Sequence, residues 1–212
     1  MYLLFIAFLT TAFSVGCVYF KTAEKRAWII SSLNSFILSC VGLWKLYYII
    51  FEAKGSISNE VMYSYDFMSL QACKLFVCSN VLDLGIGSVF YPKQIDLLSG
   101  WVHHCVYIWV IYNVIQYGAS NGFAFSLIEE VPTFIKALGS IYPSLRSDIV
   151  FGITFFAFRI VFQVYYTYQL FINAYECFYW KFGLIVIFLH AYWMYCWVQG
   201  MKRRNQKSQL SI

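Results

Sequence analysis

Residues 83–130 read DLGIGSVFYPKQIDLLSGWVHHCVYIWVIYNVIQYGASNGFAFSLIEE, and the reading of this stretch decides the fold. Adjacent histidines, His103 and His104, sit inside an apolar run. Asp83 lies in the apolar run before them, and Glu129 and Glu130 in the run after. Ionisable groups within membrane-spanning segments are costly, so by default they mark functional sites. The plainer alternative is a buried polar cluster that only fixes helix packing.

The membrane setting follows from composition. The chain is 61% hydrophobic and only 12% charged, against about 25% charged residues in soluble domains. Charge this sparse cannot cover a globular surface, which predicts an integral membrane protein. Its 7 tryptophans, 18 tyrosines and 21 phenylalanines suit membrane interfaces. The net charge of +5 gathers at the C-terminal end, as an orientation signal rather than a nucleic-acid footprint. The 7 cysteines form no C-x-x-C pair and mostly lie in apolar runs, where free Cys behaves as a small hydrophobe. Neither a disulfide nor a metal site is expected.

About 20 apolar residues cross a bilayer core, and seven runs of about that length are legible: 2–20, 27–51, 69–91, 97–117, 122–139, 149–173 and 178–200. The expected fold is all-α, a multi-pass bundle of about seven transmembrane helices around a polar or lipid-holding cavity. The first run, with basic residues after it rather than before it, reads as an N-terminal anchor over 1–23. One domain over 24–205 and a disordered cytosolic tail over 206–212 follow. The fifth run is irregular, because Pro132 removes a backbone donor and clashes with the carbonyl of Ile128. Ser126 with Glu129 also fits a capping box, so a kink or a helix start inside this run is expected. Ser147 and Asp148 are candidate caps for the sixth run.

Lysine and arginine bias sets orientation. With the C-terminus in the cytosol, that side receives Lys21, Lys25, Arg26, Lys93, Arg146, Lys202, Arg203, Arg204 and Lys207. The opposite loops receive Lys54, with Lys74 and Lys181 near helix ends, and Lys45 is free to snorkel to that interface. On a rise of about 1.5 Å per residue, Asn34, Asp83, His103 and His104 come out roughly 10–12 Å below the cytosolic boundary. Glu130, Arg159 and His190 come out at roughly 14–16 Å by the same arithmetic. Polar groups from six helices in one layer imply a cavity open towards the cytosolic leaflet.

The run LDLGIGSVFYPKQIDLLSGWVHHCVY resembles the TLC domain, shared by ceramide synthases, TRAM-type proteins and smaller lipid-linked membrane proteins. EEVPTFIKALGSIYPSLRSDIVFGITFFAFRIVF and LHAYWMYCWVQGMKRR resemble further sections of the smaller branch, so the likeness spans roughly residues 24–205. It implies an endomembrane protein, usually of the endoplasmic reticulum, with a helical bundle around a lipid cavity. Ceramide synthases transfer a fatty acyl group from acyl-CoA to a sphingoid amine. Their paired histidines match His103 and His104, and their glutamate matches Glu129 or Glu130. Their paired aspartates and homeobox-like segment have no counterpart here, so the smaller branch, linked to sphingolipid and phospholipid composition, is the closer likeness.

Two functions stay open. In the first, a histidine removes a proton from an attacking amine or hydroxyl, or takes the acyl group itself. Asp83 or Glu130 orients it, and acyl-CoA serves as co-substrate with no bound cofactor. In the second, the chain binds membrane lipid without catalysis, as a regulator, sensor or cargo receptor. Asn34, Glu129, Arg159, Gln163 and His190 then line the cavity or form ion pairs. A metal hydrolase is disfavoured, because adjacent helical residues diverge by about 100° and do not readily share one ion. His190 alone, and Trp101, Trp109, Trp193 and Trp197, are read mainly as packing or interface residues. Gly85 and Gly87 are read as points of close helix approach.

Overall fold

Short polar side chains mark where the helices begin in this computed structural model, which describes residues 1–174 and 179–210, without the side chains of 205 and 207–210. In chain order the helices are α1 (Tyr2–Tyr19), α2 (Ala23–Arg26), α3 (Ile29–Tyr47), α4 (Asn59–Tyr63), α5 (Phe67–Phe90), α6 (His103–Gln116), α7 (Ser120–Ala124), α8 (Glu130–Ile141), α9 (Asp148–Phe155), α10 (Gln163–Asn173) and α11 (Tyr179–Leu210). Thr22, Ser58, Asp66 and Ser147 each cap a following helix by accepting a backbone N–H three residues on. Such a bond satisfies one of the orphan donors at a helix start. Wider π turns extend α3 over Tyr48–Glu52, lead into α6 over Leu97–Val102 and join α9 to α10 over Phe156–Phe162. Among the described residues every regular element is helical.

Five stretches are long and apolar enough to cross a membrane: Tyr2–Tyr19, Ala23–Glu52, Phe67–Phe90, Asp148–Asn173 and Tyr179–Arg204. They carry five of the seven expected runs. Phe178, where the seventh run was expected to start, lies outside the described residues. The other two runs are broken. Residues 97–116 join a π turn to α6, and residues 120–141 pass through α7, a 3₁₀ segment (Phe125–Glu129) and α8. The break before Pro132 is the one the sequence predicts, since a proline in the first turn of α8 forfeits no intrahelical bond. The capping box does not form: Ser126 Oγ donates back to the Phe123 carbonyl at 2.8 Å, and Glu129 makes no side-chain cap at α8.

The chain divides into two compact units, Met1–Arg146 and Ser147–Ile212. In the first, α3 is the central element, packed on α8, the 3₁₀ segment, α5, α1 and α7. Gly42 makes that packing possible. A Cβ there would lie 2.2 Å from the Ile128 backbone nitrogen. Ile30, Leu38, Phe125, Leu127, Ile128 and Leu9 are among the buried side chains of this unit. Where a separate anchor over 1–23 is expected, α1 packs on α5 and α3 within the unit.

In the second unit, α9, the π turn and α10 run continuously, and α10 and α9 pack on α11. Gly183 lies against Thr167, and Gly152 against the Trp197 ring. Arg204 bridges to Asp148 at 3.1 Å. Where a disordered tail from 206 is expected, α11 continues to Leu210. Arg, Gln and Lys are good helix formers, and their charges need only solvent. Residues 211–212 of that tail lie outside the described residues.

Candidate functional site

Asp83 sits two turns before the end of α5. The chain leaves that helix at Tyr91, whose backbone N–H still bonds the Gly87 carbonyl at 3.0 Å. The Tyr91 side chain folds back along the helix, 2% exposed, and its hydroxyl donates to Asp83 Oδ1 at 2.7 Å. Gly87 permits this. A Cβ there would meet the Ile95 side chain at 2.2 Å and the Tyr91 ring at 2.7 Å.

The histidines arrive from the other side. Asp96 accepts the Ser99 backbone N–H at 2.7 Å and starts the π turn that delivers His103 and His104 as the first residues of α6. Because α6 packs on α5, His104 Nδ1 comes to 3.5 Å from Asp83 Oδ2, with both side chains about 85% buried. That separation is an ion-pair distance, longer than a good N–H···O hydrogen bond. Catalytic hydrogen bonds are often long in unliganded sites and tighten when the site is filled. With Nδ1 towards Asp83, Nε2 is the nitrogen left for a reacting group. His103 points elsewhere: its ring lies 4.5 Å from that of Tyr107, which in turn packs on Phe76.

The sequence candidates therefore separate. Asp83 and His104 are joined, and Tyr91 completes a chain of three. Glu129 is buried at the end of the 3₁₀ segment, and Glu130 opens α8, both on elements packed against α3. Asn34 is buried on α3, and its Oδ1 has no hydrogen-bond partner among the described residues. The same is true of Ser39 Oγ on α3 and Asn80 Nδ2 on α5, and α3 packs on α5. Buried polar atoms are nearly always paired with protein or water, so each of these three is a position where water or a ligand polar group belongs.

Arg159, Gln163 and His190 belong to the second unit and are brought together there. His190 is 1% exposed. Its Nδ1 lies 2.9 Å from the Arg159 carbonyl oxygen, and its Nε2 lies 3.4 Å from Arg159 Nη1. Both contacts are satisfied when the ring proton is on Nδ1, so that Nε2 accepts from the guanidinium. The guanidinium also stacks near Phe155 and Trp193. The Gln163 amide donates to Thr167 Oγ1 and to the Gly183 carbonyl. These bonds tie α10 and the π turn to α11.

Sequence reasoning missed Tyr91. The spacing Asp83, Gly87, Tyr91 puts all three on one helical face, but only the turn at Tyr91 aims the hydroxyl back. It also misplaced Lys45. Rather than snorkelling, Lys45 is 7% exposed, bonded to Asp66 Oδ2 at 2.8 Å and to Asn121 Oδ1 at 2.6 Å. Gly85 meets nothing within 4 Å, so the close approach expected of both glycines belongs to Gly87 alone, and there it is to the chain's own next turn. No family model matches this sequence, and neither the curated proteins nor the solved structures yield a match.

Proposed function

We propose that the chain is a multi-pass endomembrane protein of sphingolipid or phospholipid metabolism, and that Asp83 and His104 serve acyl transfer from acyl-CoA to a lipid amine or hydroxyl. One observation carries the reading: a carboxylate held by a buried tyrosine faces Nδ1 of a histidine within apolar helices. A histidine oriented by a third group is the usual way to activate a nucleophile. In the step, His104 Nε2 takes the proton from the acceptor N–H or O–H as that atom attacks the thioester carbon. The C–S bond breaks as the C–N or C–O bond forms, and the proton passes to the departing CoA thiolate. Asp83 holds the ring and offsets the imidazolium charge, and Tyr91 holds Asp83. His103, packed against the Tyr107 ring, shapes the wall beside the base.

The broader expectations belong to the same reading: seven spans, two of them crossing in broken form, the C-terminus in the cytosol and residence in the endoplasmic reticulum. Purified protein, labelled acyl-CoA and a panel of amine and hydroxyl acceptors test it. His104→Gln keeps the size and hydrogen-bonding capacity of the ring but not its proton transfer. Turnover should fall by roughly 10²- to 10⁴-fold, the usual cost of losing a general base, while retained lipid stays near normal. Full activity in this variant would remove His104 from the chemistry.

The second reading, a lipid binder without catalysis, is favoured by the unpartnered Asn34, Ser39 and Asn80 atoms, which suit a ligand that is held rather than transformed. Wild-type protein that retains lipid but turns over none of a broad panel would select it.

A further inference from the structure

We infer that the first unit carries a second site, a headgroup-depth pocket for a zwitterion with a primary ammonium and a phosphate or carboxylate. Lys45, Tyr48, Val61, Ser64, Asp66, Asn121 and Phe125 line a cavity of about 240 Å³. Asp66 immediately precedes the apolar stretch Phe67–Phe90, and Lys45 lies within two helical turns of the end of Ala23–Glu52. Both ends meet the polar linker that carries α4, so the cavity sits at the interfacial layer, where lipid headgroups lie.

The pocket keeps unused hydrogen-bonding capacity. An ammonium has three donors. Lys45 gives one to Asp66 and one to Asn121, and its ammonium lies 5.6 Å from the centre of the Phe125 ring. Asn121 is fixed in turn by donating to the Val61 carbonyl and to Ser64 Oγ, both at 2.8 Å. Asp66 Oδ2 takes Lys45, the Ser69 backbone N–H and the Ser69 hydroxyl. Asp66 Oδ1 and the Tyr48 hydroxyl have no hydrogen-bond partner among the described residues. One ammonium donor, one carboxylate oxygen and one hydroxyl therefore remain for a guest.

The charge pattern selects the guest. Lys45 and Asp66 already cancel, so a lone anion would face the carboxylate and a lone cation the ammonium. A zwitterion pairs each of its charges with the opposite one and strands neither. A primary ammonium can donate to Asp66 Oδ1, whereas a trimethylated one has no N–H to give. Either a phospholipid headgroup or a free zwitterion carries this chemistry.

Native mass spectrometry of the full chain, offered equimolar phosphatidylethanolamine, phosphatidylcholine and phosphatidylglycerol, tests the site without requiring turnover, so its outcome is independent of the Asp83–His104 reading. Phosphatidylethanolamine should be retained at least tenfold over the other two. Lys45→Gln combined with Asp66→Asn removes both charges together and should reduce that preference to within twofold. Should the double variant fail to fold, Tyr48→Phe keeps the ring and should weaken retention at least threefold. Displacement of the lipid by soluble glycerophosphoethanolamine supports a site that also takes free zwitterions, and its failure to displace supports a site for the intact lipid. Equal retention of the three lipids, preference for phosphatidylglycerol, or an unchanged preference in the folded variants would overturn the inference.

Discussion

Tyr91 and Asp66 each do more than their sequence positions suggest. Tyr91 is a helix-terminal residue whose hydroxyl reaches two turns back to Asp83. Tyr91→Phe leaves the ring packed near Phe13 and Gly87 but strands a carboxylate oxygen. It should cost about 1–3 kcal/mol, the range for stranding a buried polar partner, read as a lower unfolding temperature in detergent. A variant as stable as wild type would mean the bond holds nothing. Asp66 is at once the cap of α5 and the partner of Lys45. Burial works to raise its pKa, but the hydrogen bonds from Lys45 and Ser69 together outweigh burial and hold the group below its ordinary value. A carboxyl depressed in the folded state stabilises fully above its unfolded pKa, about 3.9, and loses that contribution as pH falls through the folded value. The gap in unfolding temperature between wild type and Asp66→Asn should therefore be constant from neutral pH down to about 5 and close below about 4. A gap that persisted at pH 2 would separate the cap from the ionised carboxylate.

At the scale of elements, the glycines distinguish contacts that hold the first unit from those that do not. At Gly42 an added Cβ would meet backbone atoms of Leu127 and Ile128 at 2.2–2.5 Å, and backbone cannot swing aside as a side chain does. Gly42→Ala should destabilise by about 3 kcal/mol, the upper end of overpacking costs, because α3 must move off the 3₁₀ segment that carries Glu129. Gly85→Ala, on α5 with nothing within 4 Å, should stay within about 1 kcal/mol of wild type and lean towards greater stability through helix propensity. Unfolding temperatures of the pair, measured side by side, check both. If the two variants behaved alike, the approach of α3 to residues 127–128 would not be what limits the packing. The π turns matter at this scale as well. The one over Leu97–Val102 ends where His103 begins, and the one over Phe156–Phe162 contains Arg159. Each widens the helix by one residue, a device often found at functional positions.

For the whole molecule, the prediction concerns orientation. The proposed orientation, drawn from the bias of basic residues, has the C-terminus in the cytosol and the linker carrying α4 on the opposite side. A glycosylation acceptor inserted between residues 52 and 68 should be modified in microsomes, and one in the tail should not. The reverse pattern would turn the molecule over. It would also put the Asp83–His104 pair on the side away from cytosolic acyl-CoA.

Sparse charge and long apolar runs by themselves determined the helical class and the membrane setting, because no soluble surface can be built from this composition. Pro132 likewise announced the break in its run, since a missing donor is a local property. The cap at Ser147 was legible for the same reason. Which carboxylate faces which histidine was not legible. Asp83 and Glu130 were both eligible on the page, and it is the packing of α5 on α6 that brings Asp83 to His104. Lys45 shows the same limit from the other direction. Near a helix end its sequence allowed the ammonium to reach water, but Asp66 and Asn121, brought from distant parts of the chain, offered it partners inside the protein. Helix formation depends on neighbours a few residues away. The pairing of buried charges depends on groups 21 to 76 residues apart, which only the packed chain brings within reach.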